Sequence, residues 1–299
     1  MRTLSIRTLA TISLCFILLS NLGTQETLAQ ETLAEEPRRL LLLSHAGLYK
    51  HASLDEMEAA VIALSEQGGY EVTTLEGYRY EREELDFSMI TREYLAQFDG
   101  IMMMTNGNLP MTTEQRALLV EFVENGGGFV GAHCASLTFY DYPPFGEMLG
   151  GYFQEPVAQE RLFVLNVEDN SHPATRMLGP SWPLVDEFYR FGTGVWSQDA
   201  PLENIDSLFD NPILLPFSRD RVNVLLSLDT TSDNFDPSGT PLVRGGDYPQ
   251  AWYQHFGEGR SFYTSIGHRE DIWLYDPVFR AHIQGAIRWS LGLEEIGTP

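Results

Sequence analysis

Cysteine is almost missing: there are two among 299 residues, Cys15 and Cys134. Cys15 lies in an N-terminal segment that reads as removable, so Cys134 has no partner in the same chain and no disulfide framework can hold the fold. Stability has to come from packing, and an apolar content of 43% with 12% aromatics allows a sizeable core. Lysine is scarcer still. Lys50 is the only one, and the remaining positive charge is arginine. Once Arg2, Arg7 and Glu26 are set aside with the N-terminal segment, 17 basic residues face 41 acidic ones. A field of that sign makes nucleic acid and anionic lipid poor partners.

Also lacking are an internal repeat, an interdomain linker and an apolar run long enough to cross a bilayer comfortably. The one candidate, Leu9 to Leu22, is short for a span, follows Arg2 and Arg7, and precedes the small-residue site Thr27-Leu28-Ala29. It predicts a signal peptide over residues 1–29 and an exported protein, periplasmic or secreted, with no membrane attachment after cleavage. Residues 30–37 read as an acidic, flexible leader, and residues 38–294 as one domain.

What is present is a strand-and-helix alternation. Arg39 to Ser44 is an apolar run of strand length, and Ser53 can cap a helix carrying Leu54, Met57, Val61 and Leu64 at helical spacing. Tyr70 to Leu75 and Asp99 to Thr105 read as further strands. Thr112 or Thr113 caps a helix that ends at Asn125-Gly126, and Phe129-Val130 forms the next buried strand. This order predicts an α/β fold with helices on both faces of a mostly parallel sheet. Beyond it, Phe139 to Phe145 reads as an aromatic loop, residues 192–221 as an irregular insertion, and Gly257-Glu258-Gly259 as the turn of a hairpin. A helix from Val278 to Leu291 closes the chain.

Three histidines share one setting. His51 follows the first strand, His133 the fourth and His268 the last, and parallel strands deliver their C-terminal ends to one edge. His172, Asp186 and Glu187 are further candidates. Imidazole suits proton transfer near neutral pH or the binding of a divalent metal such as zinc, for which His133, His172 and His268 are the candidate ligands. Cys134 beside His133 has the look of a thiol nucleophile, but adjacent residues on a strand exit point in different directions, and nothing nearby activates the thiol. The aromatics Tyr140, Tyr142, Trp196, Trp252, Tyr263 and Trp273 fall in or beside the loops of the same edge, where flat rings with polar tips make platforms for sugars. Lys50 suits an anion clamp or an imine.

Several of these stretches, in order across about 250 residues, resemble the trehalose-utilisation, or ThuA-like, family. They are Leu48-Tyr49-Lys50-His51, Gly127 to His133, Leu149 to Phe153, His172-Pro173, Asp186-Glu187-Phe188-Tyr189, Pro249 with Trp252, Gly257 to Arg260, Tyr263 to His268 and Trp289 to Gly292. The resemblance implies a three-layer sandwich of the class I glutamine amidotransferase-like (flavodoxin-like) kind and a role in disaccharide or ketosugar metabolism. Two departures qualify it. True amidotransferases carry a Gly-x-Cys-x-Gly elbow, whereas Gly131-Ala132-His133-Cys134-Ala135 puts His133 at the nucleophile position, which argues against glutaminase activity. The second is Gln154-Glu155-Pro156, which stands where such sequences often have a histidine.

The reading that results is an enzyme acting on a small-molecule sugar, isomerase or hydrolase in type. His133 and His268 exchange protons with the substrate, His51 and Glu187 assist, and Lys50, Tyr140, Trp252, Tyr263 and Trp273 bind it. The alternative is a secreted carbohydrate-binding or scaffolding module without chemistry. The sequence leaves the sugar, the metal and the oligomeric state open.

Overall fold

Four consecutive leucines, Leu40 to Leu43, set the plan of the molecule. On a strand, successive side chains point to opposite faces, so an unbroken apolar run demands a cover on both sides. The computed structural model describes residues 36–47, 49–75, 86–107, 109–192 and 217–297, and the proposed signal peptide, nearly all of the leader, most of residues 192–221 and Trp196 lie outside them. From Pro37 onward the chain forms one compact unit.

The strands are β1 (Arg38–Leu43), β2 (Tyr70–Thr74), β3 (Gly100–Met103), β4 (Asn106–Gly107), β5 (Gly128–Ala132), β6 (Leu137–Thr138), β7 (Phe153–Val167), β8 (Ser181–Phe191), β9 (Asn223–Leu228), β10 (Pro249–Phe256) and β11 (Gly259–Thr264). The helices among the described residues are α1 (Leu54–Gly68), α2 (Arg92–Leu95), α3 (Thr113–Glu124), α4 (Pro143–Leu149), α5 (Glu270–Tyr275) and α6 (Pro277–Ser290). Leu40 and Leu42 join a core with Met57 and Val61 of α1 and Ile283 and Ile287 of α6. Leu41 and Leu43 join a second core with Leu119 and Val123 of α3 and Phe145 and Leu149 of α4. The sheet thus lies between two helical layers. Each leucine so buried contributes about 1.5–3 kcal/mol.

Nine strands form the main sheet in the order β2-β1-β3-β5-β11-β10-β9-β7-β8. Its first five strands pair in parallel, but every pairing from β11 through to β8 is antiparallel. The sheet is therefore mixed, which corrects the expectation of a mostly parallel one. The reason is local: Gly257-Glu258 between β10 and β11 is far too short for the helical crossover that parallel strands require. Four antiparallel steps restore the original direction, so β8 runs in the same sense as β11. A side-chain amide then draws it in. Tyr189 N–H donates to Gln250 Oε1 at 3.1 Å and Gln250 Nε2 donates to Tyr189 O at 2.8 Å, imitating a ladder pair between β8 and β10.

Two helical details differ from the sequence reading. The aromatic stretch expected as a loop contains α4, because Pro143 and Pro144 occupy its first turn, where a missing N–H costs nothing, and Phe145, Met148 and Leu149 bury one face. Ser53 makes no capping bond to α1, and its hydroxyl instead donates to Gly267 O at 2.9 Å. Thr112 does cap α3, in a reciprocal capping box with Gln115. Among the described residues no helix is long and apolar enough to cross a membrane.

Candidate functional site

The site grows from the ends of β1, β5 and β11 and from the body of β8. At the end of β5 the chain turns into a single 3-10 turn, His133–Ser136, and His133 takes a left-handed backbone with φ of 46°. That conformation costs a residue with a Cβ about 1–2 kcal/mol and recurs at functional elbows. Three contacts hold it: Tyr263 Oη donates to His133 O at 2.8 Å, Ser136 Oγ meets the same phenol at 2.8 Å, and His133 Nδ1 lies 2.7 Å from Ser265 O. The last contact fixes the tautomer. Nδ1 carries the proton it donates to Ser265, so Nε2 presents a lone pair.

Around that nitrogen the other groups gather. Tyr189 Oη donates to His133 Nε2 at 2.8 Å, His268 Nδ1 lies 3.4 Å from it, and Glu187 Oε2 lies 3.6 Å from it. His268 Nδ1 is also 3.2 Å from Glu187 Oε2. His51 stands edge-on to His133, with ring centres 4.6 Å apart, and one ligand atom from each of His51, His133, Glu187 and His268 lies within 4.8 Å of the other three. The four residues that the sequence nominated as catalytic are thus neighbours in space.

Loops arrive at this point because other residues pin them. Asn106 holds the His51 loop by accepting from Tyr49 N–H at 3.1 Å and donating to Tyr49 O at 2.7 Å. Ser53 ties the same loop to Gly267. The buried Asp186 carboxylate accepts from Gly267 N–H at 2.7 Å and Arg269 N–H at 3.1 Å, which clamps the backbone on either side of His268. Gly267 has φ of 136°, with the Trp273 ring against the place a Cβ would occupy, so only glycine turns the chain there.

Burial governs the electrostatics. Desolvation, then the neighbouring His51 and His268, pushes His133 well below the usual imidazole range. His51 falls to about 3 through burial and the nearby His268. For His268 burial acts downward, yet the hydrogen bond and charge of Glu187 outweigh it, and the net shift is upward. Asp186 rises to about 7, with burial outweighing the backbone N–H groups that hold it down. The cluster thus pushes its imidazoles apart, toward the proton at His268 and away from it at His51 and His133.

A cleft of about 290 Å³ opens beside His268, walled by Tyr49, Glu160, Arg269, Glu270 and Asp271. A larger cavity of about 520 Å³, lined by Arg38, Asp99, Gly127 and Gly292, lies at the opposite edge, where the strands begin. It holds none of the four clustered side chains.

Other nominated residues fall elsewhere. His172 is not part of the cluster: it is buried against Tyr253, Phe262 and Trp289, and its Nδ1 accepts from Ala174 N–H at 3.1 Å. It follows β7, whose antiparallel course delivers its end to the other edge. Tyr140, Trp252, Tyr263 and Trp273 are corrected from sugar platforms to core residues, each at most 1% exposed. Their polar tips are spent on carbonyls: Tyr140 on Phe153, Trp252 on Leu149, Tyr263 on His133 and Trp273 on Gly267. Lys50 is exposed, beside the cleft residue Tyr49. Sequence reasoning passed over Tyr189, although Asp186-Glu187-Phe188-Tyr189 had been singled out as a motif. It also passed over Tyr49, the aromatic side chain of the cleft wall, which is 51% exposed.

Cys134 is fully buried, and burial pushes its thiol up to about 12. It is no nucleophile in that state. Cys134→Ala is expected to keep the rate of any turnover within about threefold of the parent, well short of the 10²-fold or greater loss that follows removal of an essential group. A loss of that size in a variant with unchanged circular dichroism would restore the thiol to the mechanism.

The family described as ThuA, trehalose utilisation, matches residues 39–205 and 212–290. The chain belongs to the ThuA family. Among solved structures it is similar to a ThuA-like protein from Bacteroides uniformis ATCC 8492, at 23% identity and a TM-score of 0.61, covering 89% of this chain and 96% of that one. A ThuA-like protein from Parabacteroides merdae ATCC 43184 matches at 16% identity and a TM-score of 0.56, covering 88% and 93%. These likenesses establish a shared fold. No curated protein matches the chain. Membership of a trehalose-utilisation family points to carbohydrate metabolism.

Proposed function

We propose that this ThuA-family protein is an exported enzyme that acts on a disaccharide or ketosugar by proton transfer at the His51, His133, Glu187 and His268 cluster. The observation that carries the reading is the convergence of these four side chains, from separate elements, beside an open cleft. A cleft of about 290 Å³ is at the lower end of ligand sites and suits one sugar ring, with the second ring of a disaccharide left toward solvent. Tyr49 offers a face for stacking, and Glu160, Arg269 and Asp271 offer hydrogen bonds to hydroxyl groups.

On this reading His268, the cluster residue that borders the cleft, is the acid, with His133 and Tyr189 buried behind it. It protonates the oxygen of the sugar's carbonyl while a water molecule in the cleft removes the proton from the neighbouring carbon, and the electron pair of that C–H bond forms the C=C bond of an enediol. Glu187, 3.2 Å from His268 Nδ1, favours the protonated imidazole that this step uses, and Tyr189 holds His133 in place. Delivery of a proton to the former carbonyl carbon, with the hydroxyl proton of its neighbour passing to His268, isomerises the sugar and restores the acid. For hydrolysis the enediol hydroxyl returns its proton to His268 as the carbonyl re-forms, the glycosidic oxygen on the next carbon leaves with the proton held by the water, and a second water adds across the new C=C bond. A histidine at the elbow in place of cysteine, beside a fully buried Cys134, argues against glutaminase chemistry. The partner is a small sugar, with no role for nucleic acid.

The test is a turnover screen of disaccharides and their keto forms with the purified mature chain. Exchange of solvent deuterium into the carbon beside the carbonyl is the expected signature. Sugar binding without exchange or turnover, unaffected by Tyr189→Phe, would instead identify a binding module.

A further inference from the structure

We propose that His51, His133, Glu187 and His268 bind one divalent transition-metal ion. The inference rests on the same cluster as the proposed function and adds the ion to it. His133 Nε2, His268 Nδ1 and Glu187 Oε2 form a triangle with sides of 3.4, 3.2 and 3.6 Å. Bonds of about 2.0–2.2 Å from a four-coordinate ion place its ligand atoms about 3.3–3.6 Å apart, so the triangle has close to the dimensions of one face of such a coordination shell. His51 supplies the fourth corner, with a ligand atom within 4.8 Å of each of the others.

Two independent features point to a cation at the centre. His133 donates its outer N–H to the Ser265 carbonyl, the arrangement by which metal-binding histidines are oriented and their inner nitrogen kept free of a proton; that nitrogen accepts from Tyr189 Oη at 2.8 Å, a bond the ion takes over. His51 is buried, and its Nδ1 has no hydrogen-bond partner, so a ring already aligned with His133 and His268 has unspent capacity. The donor set decides the class of ion. Three imidazoles and one carboxylate suit zinc, iron, cobalt, nickel or manganese, whereas calcium and magnesium demand oxygen on nearly every side.

Co²⁺ is the probe, because its visible spectrum reports the number and geometry of ligands without any need for turnover. The full mature chain, stripped with a chelator and dialysed, is titrated with CoCl₂ and in parallel with ZnCl₂. One equivalent is expected to bind, with intense visible bands of a four- or five-coordinate centre. Zn²⁺ at about 100 times its Kd should raise Tm by roughly 5–10 °C. Glu187→Gln and His51→Ala should each weaken binding by about tenfold or more, and His255→Ala, at an exposed histidine outside the cluster, should leave it unchanged. Absence of stoichiometric Co²⁺ and Zn²⁺ binding by the wild-type chain would overturn the proposal, as would binding that ignores both cluster variants. Because the wild-type titration decides, a variant that fails to fold does not rescue the idea. Stoichiometric binding with no sugar turnover would sustain the metal site and remove the proposed function, whereas turnover by a stripped chain that takes up neither ion would do the reverse.

Discussion

His268→Ala is expected to lower kcat/KM for the sugar substrate by about 10²–10⁴-fold, the range lost when a positioned acid or base is removed. Of the four clustered residues His268 alone borders the cleft, and it is the imidazole whose affinity for a proton is raised. Its side chain is 17% exposed on a loop whose backbone Asp186 clamps, so the substitution should leave the fold intact. Glu187→Gln should fall in the same direction, since a neutral amide cannot hold the charge on His268. Kinetics of both variants beside their thermal melts provide the check. Activity within about threefold of the parent, in a folded His268→Ala, would remove the acid from the mechanism and with it the proposed chemistry.

Acidification is expected to cost the folded chain about 4 kcal/mol between about pH 7 and pH 5.5, from three histidines away from the cluster. Burial pushes His45 to about 4, burial and then the charges of His282 and Arg176 push His172 to about 3, and burial pushes His282 to about 4, against 6.5 for an unconstrained imidazole. The structures around them explain the resistance to charge. Both ring nitrogens of His45 lack partners in an apolar setting beside Phe87, His172 is enclosed by aromatic rings, and His282 is fully buried between Ala174 O and Thr264 Oγ1. A folded value below the unfolded one means that the unfolded chain takes up the protons first. The stabilisation is complete above pH 6.5 and is lost as pH falls toward the folded values, at about 1.4 kcal/mol per unit for each group. Carboxylates at their ordinary values are still ionised in that window, and the raised Asp186, which works in the opposite sense, is offset by His51 and His133, which burial lowers as well. Urea unfolding at the two pH values measures the difference. Equal stabilities, or native imidazole resonances titrating near 6.5, would contradict the assignment.

Much of the architecture was legible in the sequence because it depends on short-range rules. The unbroken apolar runs of β1 and β3, the Thr112 cap and the glycine turn between β10 and β11 each follow from local sterics and burial. Other features were hidden because the same local signal serves two outcomes. The Phe139–Phe145 stretch has the aromatics of a lid, yet two prolines start a helix within it, and Ser53 has the chemistry of a cap but spends its hydroxyl on a carbonyl 214 residues away. Trp252 and Tyr263 look equally apt for a sugar platform and for a core, and only the layers closing over them decide the matter.

What the sequence alone determined was that His51, His133 and His268 follow strands, and that parallel strands bring their ends to one edge. Family membership was likewise carried by ordered motifs along the chain. Which side chains meet was decided only in three dimensions. Glu187 reaches the histidines because four antiparallel steps return β8 to the common direction and Gln250 grips its backbone at Tyr189. His172 is excluded because β7 runs the other way, although its position after a strand is the same in sequence as that of His133. Strand direction is a property of pairings between distant segments, whose free energy depends on register and on loop closure over long stretches of chain. The residues at a strand's end do not encode it, so a sequence can nominate groups for a site while the assembled sheet selects among them.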